Sequence, residues 1–168
     1  MLNVDQLANG LGISLIQSNF HGIGSRIGVG SFGFFLHNRG CGFNLIKGHP
    51  NSLGPNKKPL HTLSPTIWSK DGSLDFITGT RGGRYQPQLL AQTILPYILG
   101  VSSFEETMKK PRWVIDNFGS NSTSKIKFEF IEKSERISLE NKGHKIAVAN
   151  KLIGAYGPIS TIYRNSDE

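Results

Sequence analysis

Reactive side chains are sparse in this 168-residue chain, and their spacing excludes most chemistries. The five histidines, His21, His37, His49, His61 and His144, never fall at a metal-ligand spacing such as His-x-x-x-His, so no metal site is expected. Cys41 is the one cysteine, which excludes an internal disulfide and a cysteine-based zinc site. No serine or histidine pair surrounds it to suggest a thiol nucleophile, and a small buried residue is expected there. Gly28-Val29-Gly30-Ser31-Phe32-Gly33 fits the three-glycine dinucleotide pattern. That pattern needs a preceding strand, a succeeding helix and a distant acid. The next residues, Phe34-Phe35-Leu36-His37-Asn38, read as a strand instead, so no cofactor is expected. Two features remain. Arg39 is a planar cationic fork suited to a carboxylate. Gly82-Gly83 opens the backbone to close approach, although alone it reads as an ordinary turn.

The composition bounds what these residues can serve. A chain of this length can bury a core, and residues 1–168 read as a single domain. Hydrophobic residues make up 37% and charged residues 18%, which suits a folded chain rather than a disordered one. The net charge is +7, but the cations are scattered, without a Lys/Arg block or a stacking-aromatic motif. A basic surface, or a basic subunit meeting an acidic partner, is therefore expected rather than nucleic-acid binding. The longest apolar stretch, Leu89 to Val101, is too short to span a bilayer and contains Pro96, so no membrane partner is expected. The N-terminus lacks the basic region and apolar core of a signal peptide, which favours a cytoplasmic location.

The elements that must hold these residues can be read from pattern. Ile13 to Gln17 and Phe34 to Asn38 read as strands, with the glycine-rich stretch Gly22 to Gly33 between them. Residues 44–63 read as an ordered loop. Thr66 to Ser69 and Leu74 to Thr78 form a hairpin closed by Lys70-Asp71-Gly72. Pro87 suits the first turn of a helix to about Leu99, with Gly100 as its cap and Pro96 expected to kink or end it early. Ser103-Phe104-Glu105-Glu106 resembles a capping box, and Lys109-Lys110 before Pro111 suits the end of that short helix. Lys125 to Phe130 alternates as a half-buried strand. Glu135 to Lys142 reads as a helix stopped by Gly143, and Lys145 to Lys151 and Ile159 to Arg164 as closing strands. This order points to an α+β fold.

The ordered motifs carry a resemblance. Gly54-Pro55-Asn56-Lys57-Lys58-Pro59-Leu60-His61-Thr62-Leu63-Ser64-Pro65-Thr66-Ile67, followed after one hairpin by Gly79-Thr80-Arg81-Gly82-Gly83, resembles the small-subunit signature of the gamma-glutamyltranspeptidase family. The order is similar throughout: a glycine-rich turn, a Leu-x-Asn element, Pro-Asn-Lys-Lys-Pro, Ser-Pro-Thr, Asp-Gly, Gly-Gly, a helix, then Lys110-Pro111-Arg112-Trp113 in place of Ala-Pro-Arg. The resemblance runs from about Gly10 to Arg164 and is strongest between Ser14 and Trp113. It implies an N-terminal nucleophile hydrolase, whose precursor cuts itself to expose a threonine that attacks an amide. It also implies a four-layer α-β-β-α sandwich shared between two subunits, with this chain as part of the smaller one. The expected partners are a large subunit and a small-molecule acyl amide.

The resemblance also implies site roles. Gly82 and Gly83 resemble the pair whose N–H groups form the oxyanion hole. Ser18 matches a hydroxyl residue lining the nucleophile. His61 and Thr62 stand where transpeptidases carry two serines that hold the substrate's carboxylate. Three positions depart from the pattern. Phe20 replaces an asparagine, Arg39 adds a cation, and Gly42 replaces an acid that would hold the substrate's α-ammonium. Ser18-Asn19-Phe20-His21-Gly22-Ile23-Gly24, Asn38-Arg39-Gly40 and Gly48-His49-Pro50-Asn51 together resemble an acylase-like branch that removes glutaryl-type acyl groups. The expected function is that of an amidohydrolase or acyltransferase acting on γ-glutamyl, glutaryl or similar acidic acyl amides. The family's threonine is expected at or just before Met1. An internal threonine such as Thr62 lacks the free amine needed to replace it. The chain alone is thus expected to be inactive. The alternative is a truncated relative that folds or binds a partner without catalysis, through an apolar face that a large subunit would cover. Past Glu168 a further strand with a Ser-Asp-Pro-Arg-like segment is expected.

Overall fold

The computed structural model describes residues 2–6, 11–116, 124–149 and 157–163. In chain order the elements are β1 (Leu2–Gln6), β2 (Gly12–Ile16), β3 (Thr66–Lys70), β4 (Ser73–Thr80), α1 (Gln86–Ile98), α2 (Phe104–Met108), β5 (Trp113–Asp116), β6 (Lys125–Phe128), α3 (Lys133–Asn141), β7 (Ile146–Val148) and β8 (Ile159–Tyr163). They form three sheets, ordered β1-β2, β3-β4-β8 and β5-β6-β7.

The central sheet is set by a two-residue turn. Asp71 (φ 51°) and Gly72 (φ 78°) are both left-handed, the pairing a tight hairpin needs to match the strand twist. The turn sets β4 antiparallel to β3, and β8 pairs antiparallel with the other edge of β4. Residues 76–80 of β4 are all buried. On one side Phe76 packs with Leu90 and Ile94 of α1 and with Phe104 of α2, joined by Trp68, Tyr97 and Tyr163. On the other side Gly12 of β2 lies so close that a Cβ there would sit 2.7 Å from Ile77 Cδ1. Gly12, Ser14 and Ile16 are the less exposed residues of β2, while Leu11, Ile13 and Leu15 are exposed. The described residues thus stack helix, sheet and sheet, with an apolar face turned outward on β2.

The helix ends follow the sequence chemistry. Gly100 (φ 65°) donates to the Tyr97 carbonyl at 3.0 Å and Val101 to the Pro96 carbonyl at 2.9 Å, a Schellman closure. Pro96 does not end α1 early, since the helix runs on to Ile98. Its missing donor falls in the last turn, and its own carbonyl is used by the closure. Ser103 and Glu106 form a reciprocal capping box on α2.

Glutamines fix the third sheet to α1. Gln92 accepts from the Trp113 N–H at 3.1 Å and donates to the Trp113 carbonyl at 2.8 Å, and Gln88 accepts from the Ile115 N–H at 2.8 Å. Spaced four apart, they lie on one helix face and pair the free edge of β5. The Arg112 guanidinium pairs with Glu129, and its Nη1 donates to the Gly157 carbonyl at 2.7 Å. Gly157 (φ 68°) in turn packs on Arg81, where a Cβ would fall 2.8 Å from the Arg81 carbonyl oxygen.

Several expectations are corrected. Phe34–Asn38 is not a strand; only Phe35 makes an isolated bridge, to Gly28. Leu36 N–H still donates to the Ile27 carbonyl at 3.0 Å and the Phe34 carbonyl accepts from Val29 N–H at 2.9 Å, but left-handed Arg26 (φ 65°) bends the facing segment, so no regular ladder forms. Cys41 is exposed rather than buried, because its own 3-10 turn at Arg39–Gly42 lies on the surface. β6 stops at Phe128, and Phe130 is exposed, because the Glu129 carboxylate turns to Arg112 and ends the alternation. β1 and β5 had no clear signal in sequence. Residues 150, 151 and 164, placed in strands by pattern, lie outside the described residues.

Three outcomes are expected from this architecture. Gln92→Ala strands both polar groups of Trp113 and should lower unfolding stability by about 1–3 kcal/mol in urea titrations. Gly157→Ala combines a left-handed backbone with a clash against Arg81, and should lower stability by ~1 kcal/mol or more. The Ser103 N–H, then the Ser102 hydroxyl, hold the Glu106 carboxyl below its ordinary 4.5. Its contribution is therefore present above 4.5 and lost as pH falls through the lowered folded value. Glu106→Gln should lower the Tm at neutral pH, and the gap to wild type should close in acid.

Candidate functional site

The site begins where β4 ends. Thr80 is fully buried, and its hydroxyl lies 3.0 Å from the Arg81 carbonyl and 3.1 Å from the Pro158 carbonyl, which anchors the strand end to the start of β8. The chain then turns through Gly82 (φ 139°) and Gly83 (φ 57°), conformations that side chains resist. Tyr85 N–H closes a 3-10 turn on the Gly82 carbonyl at 3.1 Å, and α1 starts at the next residue. The N–H groups of Gly82 and Gly83 have no hydrogen-bond partner among the described residues.

Gly82 and Gly83 line an open cavity of about 1010 Å³. Ile16, Gln17 and Ser18 at the end of β2 form another wall, with Phe20, Thr62, Arg81 and Gln86. Among the described residues that line it there is no carboxylate. Gln86 is buried, and its Oε1 accepts from the Ser64 N–H at 2.9 Å, tying the loop that carries Thr62 to the start of α1. No group of three His, Cys, Asp or Glu among the described residues could hold a metal.

The glycine-rich segment is held by Asn38. Its Nδ2 donates to the His21 and Gly24 carbonyls, both at 3.1 Å, and its Oδ1 accepts from the His21 N–H at 2.9 Å. Ser18 Oγ accepts from the Phe20 N–H at 3.0 Å. Phe20 is left-handed at φ 77°, uncommon for a bulky residue. Its ring lies under the Arg39 guanidinium, 4.8 Å from carbon to centroid. Arg39 Nη1 donates to Thr62 Oγ1 at 2.9 Å, while its Nη2 is buried without a partner.

The structure therefore brings Ser18, Thr62, Gly82 and Gly83 to one cavity. Arg39 sits behind that wall, touching Thr62 and Phe20. His61 is exposed and does not line the cavity. Gln86, Asn38 and Arg81 were missed in sequence. Gln86 lies directly before Pro87 at the helix start, a polar residue where a turn leads into a buried face, and that was the one local signal available.

The family model described as gamma-glutamyltranspeptidase matches residues 4–168. The chain is 32% identical to the oxamate amidohydrolase proenzyme of Klebsiella pneumoniae, over 94% of this chain and 30% of that protein. It is also 32% identical to the glutathione hydrolase-like YwrD proenzyme of Bacillus subtilis, over 90% of this chain and 28% of that protein. Cephalosporin acylase from Bacillus halodurans superposes with a TM-score of 0.78 at 30% identity, over 92% of this chain and 28% of that one. A mutant gamma-glutamyltranspeptidase of Helicobacter pylori superposes with a TM-score of 0.78 at 21% identity, over 96% and 89%. That identity speaks for the fold alone. The chain spans less than a third of the curated relatives it matches, and corresponds to a small-subunit-sized part of them. The relatives are proenzymes, consistent with a partner subunit. The chain belongs to the gamma-glutamyltranspeptidase family of hydrolases.

Proposed function

We propose that this chain is the small-subunit region of an amidohydrolase, supplying the oxyanion hole and acyl pocket for an N-terminal threonine that precedes β1. The observation that carries this reading is the pair of N–H groups at Gly82 and Gly83 with no partner among the described residues, in a cavity shared with Ser18 and Thr62. Leu2 is registered opposite Ile16, and Ile16, Gln17 and Ser18 line the cavity.

These positions define the chemistry. The threonine hydroxyl attacks the amide carbonyl while its proton passes to the threonine's own amine. The oxyanion accepts from the Gly82 and Gly83 N–H groups. Collapse breaks the C–N bond, and the amine leaves with that proton. Water then attacks the acyl-enzyme, releasing the acid and restoring the hydroxyl. We read the substrate as an acyl group ending in a carboxylate without a required α-ammonium. Two observations support this: no carboxylate among the described lining residues could pair an ammonium, and one relative is an oxamate amidohydrolase, oxamate being the monoamide of a dicarboxylic acid.

A second reading is a folded protein that binds a partner without catalysis. It is favoured by exposed Leu11 just before β2, by exposed Ile13 and Leu15 on β2, and by exposed Phe32, Phe34 and Phe35. In the enzymatic reading the large subunit covers these surfaces.

The test assembles the chain, with a free threonine ahead of β1, with a large subunit. Glutaryl p-nitroanilide should be hydrolysed faster than γ-glutamyl p-nitroanilide. Equal rates reject the substrate reading, and no hydrolysis of either leaves the partner-binding one. Hydrolysis by the chain alone overturns the need for a large subunit. Gly83→Ala should lower kcat by about a hundredfold through a misdirected donor, with the Tm checked to exclude unfolding.

A further inference from the structure

We infer that a groove between α2 and the start of β5 is where the partner subunit docks an acidic segment bearing an apolar side chain. The inference rests on reading this chain as a subunit region, and adds where the other subunit takes hold and by what chemistry.

The groove is distinct from the cavity at Gly82 and Gly83 and measures about 660 Å³. A tight stop in the chain shapes it. The Lys110 N–H bonds to the Thr107 carbonyl at 3.1 Å as α2 ends, Pro111 follows, and β5 starts at Trp113. Residues of α1 and α2 line one side, and residues of β5, of the chain after β6 and of β8 line the rest.

The polar side chains inside the groove are already spent. The Thr93 and Thr107 hydroxyls donate to the Leu89 and Ser103 carbonyls at 3.2 and 2.8 Å. The Gln92 amide is used by Gln88 and Trp113. Glu129 is the one carboxylate among the described lining residues, and it pairs with Arg112. Two kinds of surface are left. One is apolar: Met108 and Phe130 are 47% and 55% exposed. The other is cationic: Lys109 and Lys110 are exposed and form no ion pair among the described residues. Glu106, one turn back on α2, is occupied by the Ser102 hydroxyl and the Ser103 N–H. An exposed thioether and ring beside two unpaired ammonium groups suit an apolar side chain with a carboxylate next to it.

The partner subunit fits this better than a second copy. The chain carries a net charge of +7, so a second copy brings like charge to Lys109 and Lys110. Its relatives are proenzymes of which it spans less than a third. Pro158 lines both the groove and the cavity, so a subunit that completes the cavity reaches the edge of the groove. Docking also has a consequence for the cavity. The Arg112 and Glu129 side chains line the groove and keep 16% and 7% exposure, which a docked segment removes. The Arg112 bond to the Gly157 carbonyl, behind Arg81 and the glycine pair, is then held in a drier setting.

The test replaces Phe130 by p-benzoylphenylalanine in the assembled two-subunit complex and irradiates it. Phe130 is exposed and lies outside β6, so the frame is left in place. The expected product is a crosslink to a large-subunit peptide with an Asp or Glu beside the captured residue. Capture of a second copy, of a peptide without an acid, or of nothing overturns the inference. A second measurement reads charge. Lys109→Glu with Lys110→Glu should raise the Kd between the subunits about tenfold at about 0.15 M salt, and the gap should shrink near 1 M. Lys133→Glu with Lys142→Glu makes the same charge change outside the groove and should raise it less than about twofold. Equal weakening by the two pairs assigns the effect to net charge and overturns the inference. If the Lys109 and Lys110 variant does not fold, the crosslink decides. A complex that crosslinks as expected but hydrolyses neither anilide keeps this inference while the amidohydrolase reading fails. An active complex without the crosslink does the reverse.

Discussion

The burial of β4 on both faces is the constraint on which the rest of the structure depends. A doubly buried strand needs cover on each side and a partner for every polar group. The aromatic cluster of Phe76, Phe104, Tyr97 and Trp68 provides one cover, and β2, brought close by Gly12, provides the other. The two buried threonines show how the polar groups are satisfied. Thr78 bonds to the Ser160 carbonyl and Thr161 hydroxyl, and Thr80 to the Arg81 and Pro158 carbonyls. These bonds fix where β4 stops, and so where Gly82 and Gly83 stand.

Support for the site comes from a distance through the same logic. Glu129 orients Arg112, Arg112 holds the Gly157 carbonyl, and Gly157 packs against Arg81 beside the glycine pair. The ion pair is nearly buried, and both charges have additional hydrogen bonds, the condition under which such a pair holds geometry rather than only costing desolvation. Rigid backing matters because a backbone donor lowers a barrier only when it is already in place.

On the opposite wall, polarity is set by what is missing. A cavity with no carboxylate among its described lining residues, backed by Arg39, favours negative charge. Phe20 and Gly42 are complementary in size, a large ring beside an absent side chain. Substituting either alone disturbs the seat of Arg39.

Much of the frame was determined by the sequence alone, wherever the signal is local. Asp71-Gly72 specifies a hairpin because both residues tolerate left-handed backbone. Gly100 and the Ser103–Glu106 pair specify helix ends because their bonds close within a few residues. The ordered motifs likewise determined the family. Only tertiary structure decided the rest, because those contacts join residues far apart in sequence. Nothing near Glu129 announces Arg112, and nothing near Gln92 announces the edge of β5. Strand-like residues 34–38 form no regular strand because residues 25–29, which Phe34 and Leu36 bond to, are bent by left-handed Arg26, and a regular neighbouring strand, not propensity, completes a sheet. Arg39 could be recognised in sequence as a cation. That it lies on Phe20, binds Thr62 and keeps one buried donor unpaired was decided only when the loop of residues 44–63 folded back across it.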